Sequence, residues 1–208
     1  MFSFSLITSP AREPLTVAEA KDHLRLDTSA DDVLVGTLIA GARQWAERYT
    51  GRAFITQTWT LSVDRVPCED GRCDGMVQGA IGSLDRLRAL NVPRAPLQSV
   101  ESIQTFDDDD TAHTFSPDNY YVDTSREPGR LVLRSGAVWP YAERDANSIV
   151  VTYKAGYGDT AADVPASIRT AIAGIMAYYY QNRGDATTAV PASVRALLDP
   201  YRVRFSGV

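Results

Sequence analysis

Residues 29–52, SADDVLVGTLIAGARQWAERYTGR, constrain this chain more than any other stretch. At about 100° per residue, Leu34, Val35, Leu38, Ile39, Gly41, Ala42, Trp45, Ala46 and Tyr49 gather on one side of a helix. Gly36, Thr37, Ala40, Arg43, Gln44, Glu47 and Arg48 fall on the other. Ser29 is placed to accept a hydrogen bond from an early amide, and Asp31 and Asp32 put negative charge at the positive end of the helix dipole. Gly51, free to adopt a left-handed conformation, is a natural stop. Arg43 and Glu47, four residues apart on the polar side, read as a surface pair worth roughly a few tenths of a kcal/mol. Burial of the apolar stripe must then supply most of the stability, so this helix requires a second layer.

The rest of the chain is long enough to provide one. With 208 residues, 44% hydrophobic and 23% charged, it has the make-up of a soluble globular protein with one well-cored domain or two small ones. No apolar run approaches the roughly 20 residues that span a bilayer. The opening MFSFSLITSPAREP lacks the basic and apolar regions of a signal peptide, so the expected place of synthesis and assembly is the cytoplasm. A net charge of -5, from 21 basic and 26 acidic residues, provides no global positive field for a nucleic-acid backbone. The two cysteines, Cys68 and Cys73 in CEDGRC, have the spacing of half a metal site or a small disulfide. A zinc site needs about four ligands, and His23 and His113 lie far off in the chain, so two loop thiols are the preferred reading.

Along the chain, the first 14 residues look extended, an arm or strand carrying Phe2, Phe4, Leu6 and Ile7. Thr16-Val17-Ala18-Glu19 is a capping box, which predicts a short helix to Leu24 or Arg25 and then a turn into the long helix. After Gly51 the period drops from 3.6 to 2: Ile55, Gln57, Trp59, Leu61 and Val63 alternate with threonines and Ser62, the pattern of a half-buried strand. Residues 64–82, with Pro67 and four glycines, read as a long loop. Short strand signals follow at 84–90, 100–106, 111–115, 120–123, 130–133 and 149–153, separated by turn-forming residues, and suggest an antiparallel meander.

Helical signals return after AGYGDTAADVP. Asp163 is a candidate N-cap, and Pro165 suits the first turn. Ile168, Ile172, Ile175, Met176 and Tyr179 form one stripe, expected to pack on the Trp45 helix. The opposite side, Thr170, Ala173, Gly174 and Ala177, is small and nearly uncharged, which suits close approach of another helix, including one from a neighbouring subunit. A last short helix runs from Pro191 through Val194, Leu197 and Leu198 to Pro200, and the tail YRVRFSGV mixes aromatic and arginine residues of the kind enriched at interfaces. The fold class expected is α+β: a helical bundle made by both ends of the chain, with an inserted antiparallel β segment. Residues 1–53 form the arm and first helices, 54–157 the insertion, and 158–208 the last helices and tail.

Chemistry is scarce. Neither histidine has a catalytic context, and no GxSxG, HExxH or phosphate-binding glycine loop occurs. AGYGD at 155–159 reads as a strand-to-helix turn. Asp107, Asp108, Asp109 and Asp110 lack the spaced ligands of a calcium loop and read as a solvated hairpin tip, whose charge would repel a passing polyanion. No catalytic residue, metal or cofactor is assigned.

Taken together, LTVAEAKDHLRLD at 15–27, the long helix ending in YTGR, ITQTW at 55–59, PLQSV at 96–100, and AGYGD followed by DVP and an Ile/Ala-rich helix come in an order that resembles the head-tail connector, or adaptor, proteins of long-tailed bacteriophages and gene transfer agents. The resemblance implies a non-enzymatic structural protein of the virion neck. It implies a homo-oligomeric ring, usually twelve-fold, between the portal and a stopper or tail-terminator protein, through which DNA passes without specific binding. It also assigns portal binding to the C-terminal segment, here Tyr201, Arg202, Val203, Arg204 and Phe205. A closed ring needs two different adhesive faces per subunit. The candidates are Thr170, Ala173, Gly174 and Ala177 on one helix and Arg43 and Glu47 on another, with Asp107 to Asp110 as a channel or docking tip. Another neck or tail-completion protein, or an enzyme built on the β segment, are the alternative readings.

Overall fold

The computed structural model describes residues 2–64, 89–139, 144–183 and 189–203. The capping box works as the sequence suggests: Thr16 Oγ1 accepts from the Glu19 amide, and the Glu19 carboxylate accepts from the Thr16 amide at 2.8 Å. It opens α1 (Val17–Leu24), which Arg25 closes in the left-handed conformation. The long helix is α2 (Asp32–Thr50). Its N-cap is Asp31 rather than Ser29, and Asp31 does not cap with its side chain; that carboxylate accepts a short hydrogen bond from the Tyr180 hydroxyl instead. Gly51 ends α2 with φ 72°, as expected of its missing Cβ.

Further along lie α3 (Ala166–Gln181) and α4 (Ala192–Leu198). Asp163 does not cap α3. Its carboxylate accepts from the amide and hydroxyl of Thr160, closing the tight turn Ala161–Asp163 that precedes the helix. The described parts of Pro10–Thr56 and Gly156–Arg204 form one compact unit, so the helices nearer the two ends of the chain fold together. Val35, Ile39, Ala42 and Ala46 of α2, Ile168, Ile172, Ile175 and Met176 of α3, Ala20 of α1 and Leu198 of α4 share one apolar core. The AGYGD glycines serve this unit's packing: a Cβ at Gly156, where φ is 143°, would stand 2.7 Å from the backbone of Ile55. There the Tyr157 amide bonds the Phe54 carbonyl and the Thr56 amide bonds the Gly158 carbonyl, each at 3.0 Å.

The second unit contains Gln57–Ala155 and the N-terminal arm. The arm is a true strand, β1 (Phe2–Thr8), followed by β2 (Gln57–Val63), β3 (Ala89–Asn91), β4 (Leu97–Phe106), β5 (Ala112–Thr114), β6 (Tyr120–Asp123), β7 (Arg130–Leu133) and β8 (Ile149–Ala155). They form a five-stranded sheet, β1-β2-β8-β4-β5, and a three-stranded sheet, β3-β7-β6, in which every pair is antiparallel. The order corrects the expected meander: β8, the last strand in sequence, is the central one. Its sequence IVVTYKA explains why, since Ile149, Val151, Tyr153 and Ala155 are all buried and the strand is paired on both sides. Trp59, Leu61 and Val63 of β2 stand opposite Tyr153, Val151 and Ile149, so the alternation read in β2 continues across the sheet. Of the long loop expected at 64–82 and the strand at 84–90, only Asp64 and the residues from Ala89 on are described; Cys68 and Cys73 lie outside.

Candidate functional site

The residues assigned to subunit contacts separate into two groups once placed. Arg43 and Glu47 do not lie on an exposed face; each is only 6% exposed. Arg43 Nε donates to Glu13 at 2.7 Å and Nη1 to Glu47 at 2.8 Å, while the other Glu47 oxygen accepts from the Phe54 amide at 3.0 Å. Burial opposes the Arg43 charge, but the Glu13 hydrogen bond and the two flanking carboxylates outweigh it and leave its pKa raised. Helical spacing alone assigns these side chains to solvent. What overturns that is Glu13, thirty residues before Arg43 in the proline-bounded segment, which supplies the second carboxylate. The pair belongs to the interior of one chain, not to a free adhesive surface. The outward side of α2 is instead Val33, Thr37, Gly41, Gln44 and Arg48.

The small side of α3 has a different answer. A Cβ at Gly174 would lie 3.2 Å from Val194, so α4 of the same chain occupies the space the glycine leaves. Ala173 is buried, Ala177 half-buried and Thr170 exposed. Close helical approach is thus present, and the chain's own last helix provides part of it.

The acidic tip closes the β4–β5 hairpin. Asp107 organises it, accepting from the amides of Asp109 at 3.0 Å and Thr111 at 2.8 Å and pairing with His113 Nε2 at 2.9 Å. The His113 bond, helped by those amides, lowers the Asp107 pKa. Asp110, at φ 61°, meets Arg144 at 2.9 Å. Asp108, Asp109 and Asp110 remain exposed, beside a shallow recess lined also by Arg144, Asp145 and Asn147. Among the described residues no group of three or more His, Cys, Asp or Glu side chains is arranged to hold a metal, and no helix is long and apolar enough to cross a membrane.

The root of the tail is held by the chain itself. The Tyr49 hydroxyl donates to Asp199 at 2.6 Å, Arg52 Nε to the Tyr201 carbonyl at 2.5 Å, and the Val203 amide to the Thr50 carbonyl at 2.8 Å. The Arg202 guanidinium lies 4.8 Å over the Tyr49 ring, whose stacked neighbour Trp45 is 5.1 Å away. Tyr201, Arg202 and Val203 are therefore docked at the end of α2, whereas Arg204 and Phe205 lie outside the described residues. Sequence reasoning missed Tyr49 and Arg52 as partners of the tail. Both stand in the YTGR that ends the long helix, but nothing local ties that motif to residues about 150 positions later.

Residues 14–72 match the family model described as phage gp6-like head-tail connector protein. That range takes in α1, α2 and β2. No curated protein matches the sequence. Among solved structures, the fold is similar to a chain in the neck of an empty gene transfer agent particle resolved with C6 symmetry, with TM-score 0.77, 21% identity, and 97% of this chain and 96% of that one covered. A chain in the neck of a native particle resolved with C12 symmetry gives TM-score 0.75 at 20% identity, covering 97% and 96%. A chain of the native gene transfer agent virion gives TM-score 0.75 at 21% identity, covering 97% and 95%. At such identities the likeness is one of fold. The connector resemblance read from the order of motifs is thus found again by a family model over residues 14–72, while nearly the whole chain shares its fold with chains of the gene transfer agent neck.

Proposed function

We propose that this chain is the head-tail connector subunit of a phage-like particle, a non-enzymatic virion protein that forms a ring, twelve-fold by its resemblance, on the portal. The ring receives a stopper or tail-terminator protein on its other side and lets DNA pass through. The supporting observation is the agreement of two different comparisons, the connector family model over α1, α2 and β2 and the whole-chain fold likeness to gene transfer agent neck chains. The chemistry of the chain fits this role. Charged side chains at the α2 core are consumed in intrachain pairs, and a net charge of -5 suits a conduit that DNA must leave without sticking. Within the subunit, the helices from both ends of the chain act as the bundle for ring contacts, with Thr170 and Ala177 as the part of the small α3 side left to a neighbour. The tail from Tyr201 grips the portal, and Asp107 to Asp110 face the channel or the next neck component.

The test is to add the purified protein to portal rings of the same particle and image the complex end-on. A second ring, in register with the portal and built of this chain alone, is the expected result. Portal rings that remain bare at saturating protein would overturn the proposal.

A further inference from the structure

Resting on the portal-binding role of the tail, we infer that the last turn of α2 is a clamp that fixes where the tail leaves the subunit, with Tyr49 and Arg52 as positioning residues for partner capture. Four contacts converge on five consecutive residues. Tyr49 holds the Asp199 carboxylate at 2.6 Å, and Arg52 holds the Tyr201 carbonyl at 2.5 Å. The Arg202 guanidinium covers the Tyr49 ring at 4.8 Å, and Val203 is bonded through its amide to Thr50 at 2.8 Å. The clamp's own position is set by burial. Arg52 is 6% exposed, with its guanidinium 5.7 Å from the Tyr157 ring centre, and Thr50 is fully buried. Gly51 completes the device: a Cβ there would press on the Val203 carbonyl at 3.3 Å, so the bare backbone is what lets the tail root lie against the helix end.

The physical consequence concerns entropy. A tail free from Leu198 onward would have to give up backbone freedom at every residue it orders on docking. Holding residues 199–203 in the unbound subunit removes their share of that cost before docking and fixes the point from which the tail continues. A tether of this kind acts on affinity without touching the partner.

The experiment compares portal-ring binding by full-length wild type, Tyr49→Phe, Asp199→Asn, the double variant, and a chain lacking residues 204–208. Tyr49→Phe removes only the hydroxyl that reaches Asp199, so the ring stack and the fold persist. The expected result is a weakening of binding by roughly three- to tenfold in each single variant, in line with loss of one hydrogen bond to a charged group. The double variant should be no weaker than the singles, and the melting temperature should not move. Amide exchange at Val203 should accelerate in Tyr49→Phe while amides of α3 keep their protection, a change that a general loss of stability would not produce. If the variants bind as wild type while the truncated chain fails to bind, the clamp is wrong and the tail assignment stands. If the truncated chain binds as wild type, the tail assignment fails and the clamp falls with it.

Discussion

The two units use charge in opposite ways. In the helical unit, ionic and polar contacts join parts of the chain far apart in sequence: Arg43 to Glu13 across 30 positions, Arg52 to Tyr201 across 149, Tyr49 to Asp199 across 150. In the sheet unit many of them are local, as in Asp107 with His113 six positions on and Asp123 with Arg130 seven on. The ion pair of Lys154 with Glu101, on neighbouring strands, has side chains 44% and 40% exposed. Charge thus ties distant segments together around the apolar core of the helical unit, whereas in the sheet, built by strand pairing and apolar alternation, charge shapes the turns. The same residue types should therefore carry very different energies in the two places.

The largest contrast should come from Arg43→Ala, which removes the buried guanidinium that Glu13 and Glu47 share. A loss of about 3–5 kcal/mol is expected in denaturant unfolding. Lys154→Ala, the matching change in the sheet unit, should cost at most about 1 kcal/mol and should shrink further at high salt. Equal effects of the two would erase the distinction between the units.

Next in size is Gly51→Ala. It forces a side chain into a left-handed position and against the Val203 carbonyl, and a loss of about 1–2 kcal/mol is expected by thermal melting. A still smaller effect, of opposite sign, is expected at Tyr153. Its ring is fully buried between β2 and β4, its hydroxyl has no hydrogen-bond partner among the described residues, and burial pushes its pKa up. Tyr153→Phe removes a polar group from the interior and should be neutral or stabilising by up to about 1 kcal/mol, whereas a clear loss would reveal a polar partner for that hydroxyl.

The smallest effect concerns pH. Hydrogen bonds from Ser125 and Arg130 hold the Asp123 pKa down at about 2. A carboxylate depressed in the folded state contributes stability above its unfolded pKa, near 4, and that contribution is lost as pH falls toward 2. Asp123→Asn should therefore flatten the acid limb of a melting-temperature profile between about pH 4 and pH 2. An unchanged limb would show that the β6–β7 turn does not limit acid stability.

What was legible in the sequence follows the same divide between local and distant. The Thr16–Glu19 box, the Gly51 stop, the alternation through β2 and the strand at Tyr120–Asp123 all depend on residues within a few positions of one another. Most of the features that were misread depend on a distant partner. Arg43 and Glu47 look solvent-facing until Glu13 closes over them, and Gly174 looks like a subunit contact until Val194 fills its groove. The central place of β8 is set by pairing with β2 and β4, some ninety and fifty residues earlier in the register. Asp163 differs, since its partner Thr160 is local but lies on the other side from the helix it was expected to cap. The anchor of Tyr201, Arg202 and Val203 at Tyr49 and Arg52 was invisible for want of any sequence link.

The central claim is that this subunit assembles as a neck ring, and the most direct measurement is its mass in solution by light scattering after size exclusion, alone and then mixed with portal rings. A discrete ring-sized assembly, either alone or as a defined mass increment on the portal, is the result expected. A strict monomer that elutes unchanged beside the portal would contradict the account.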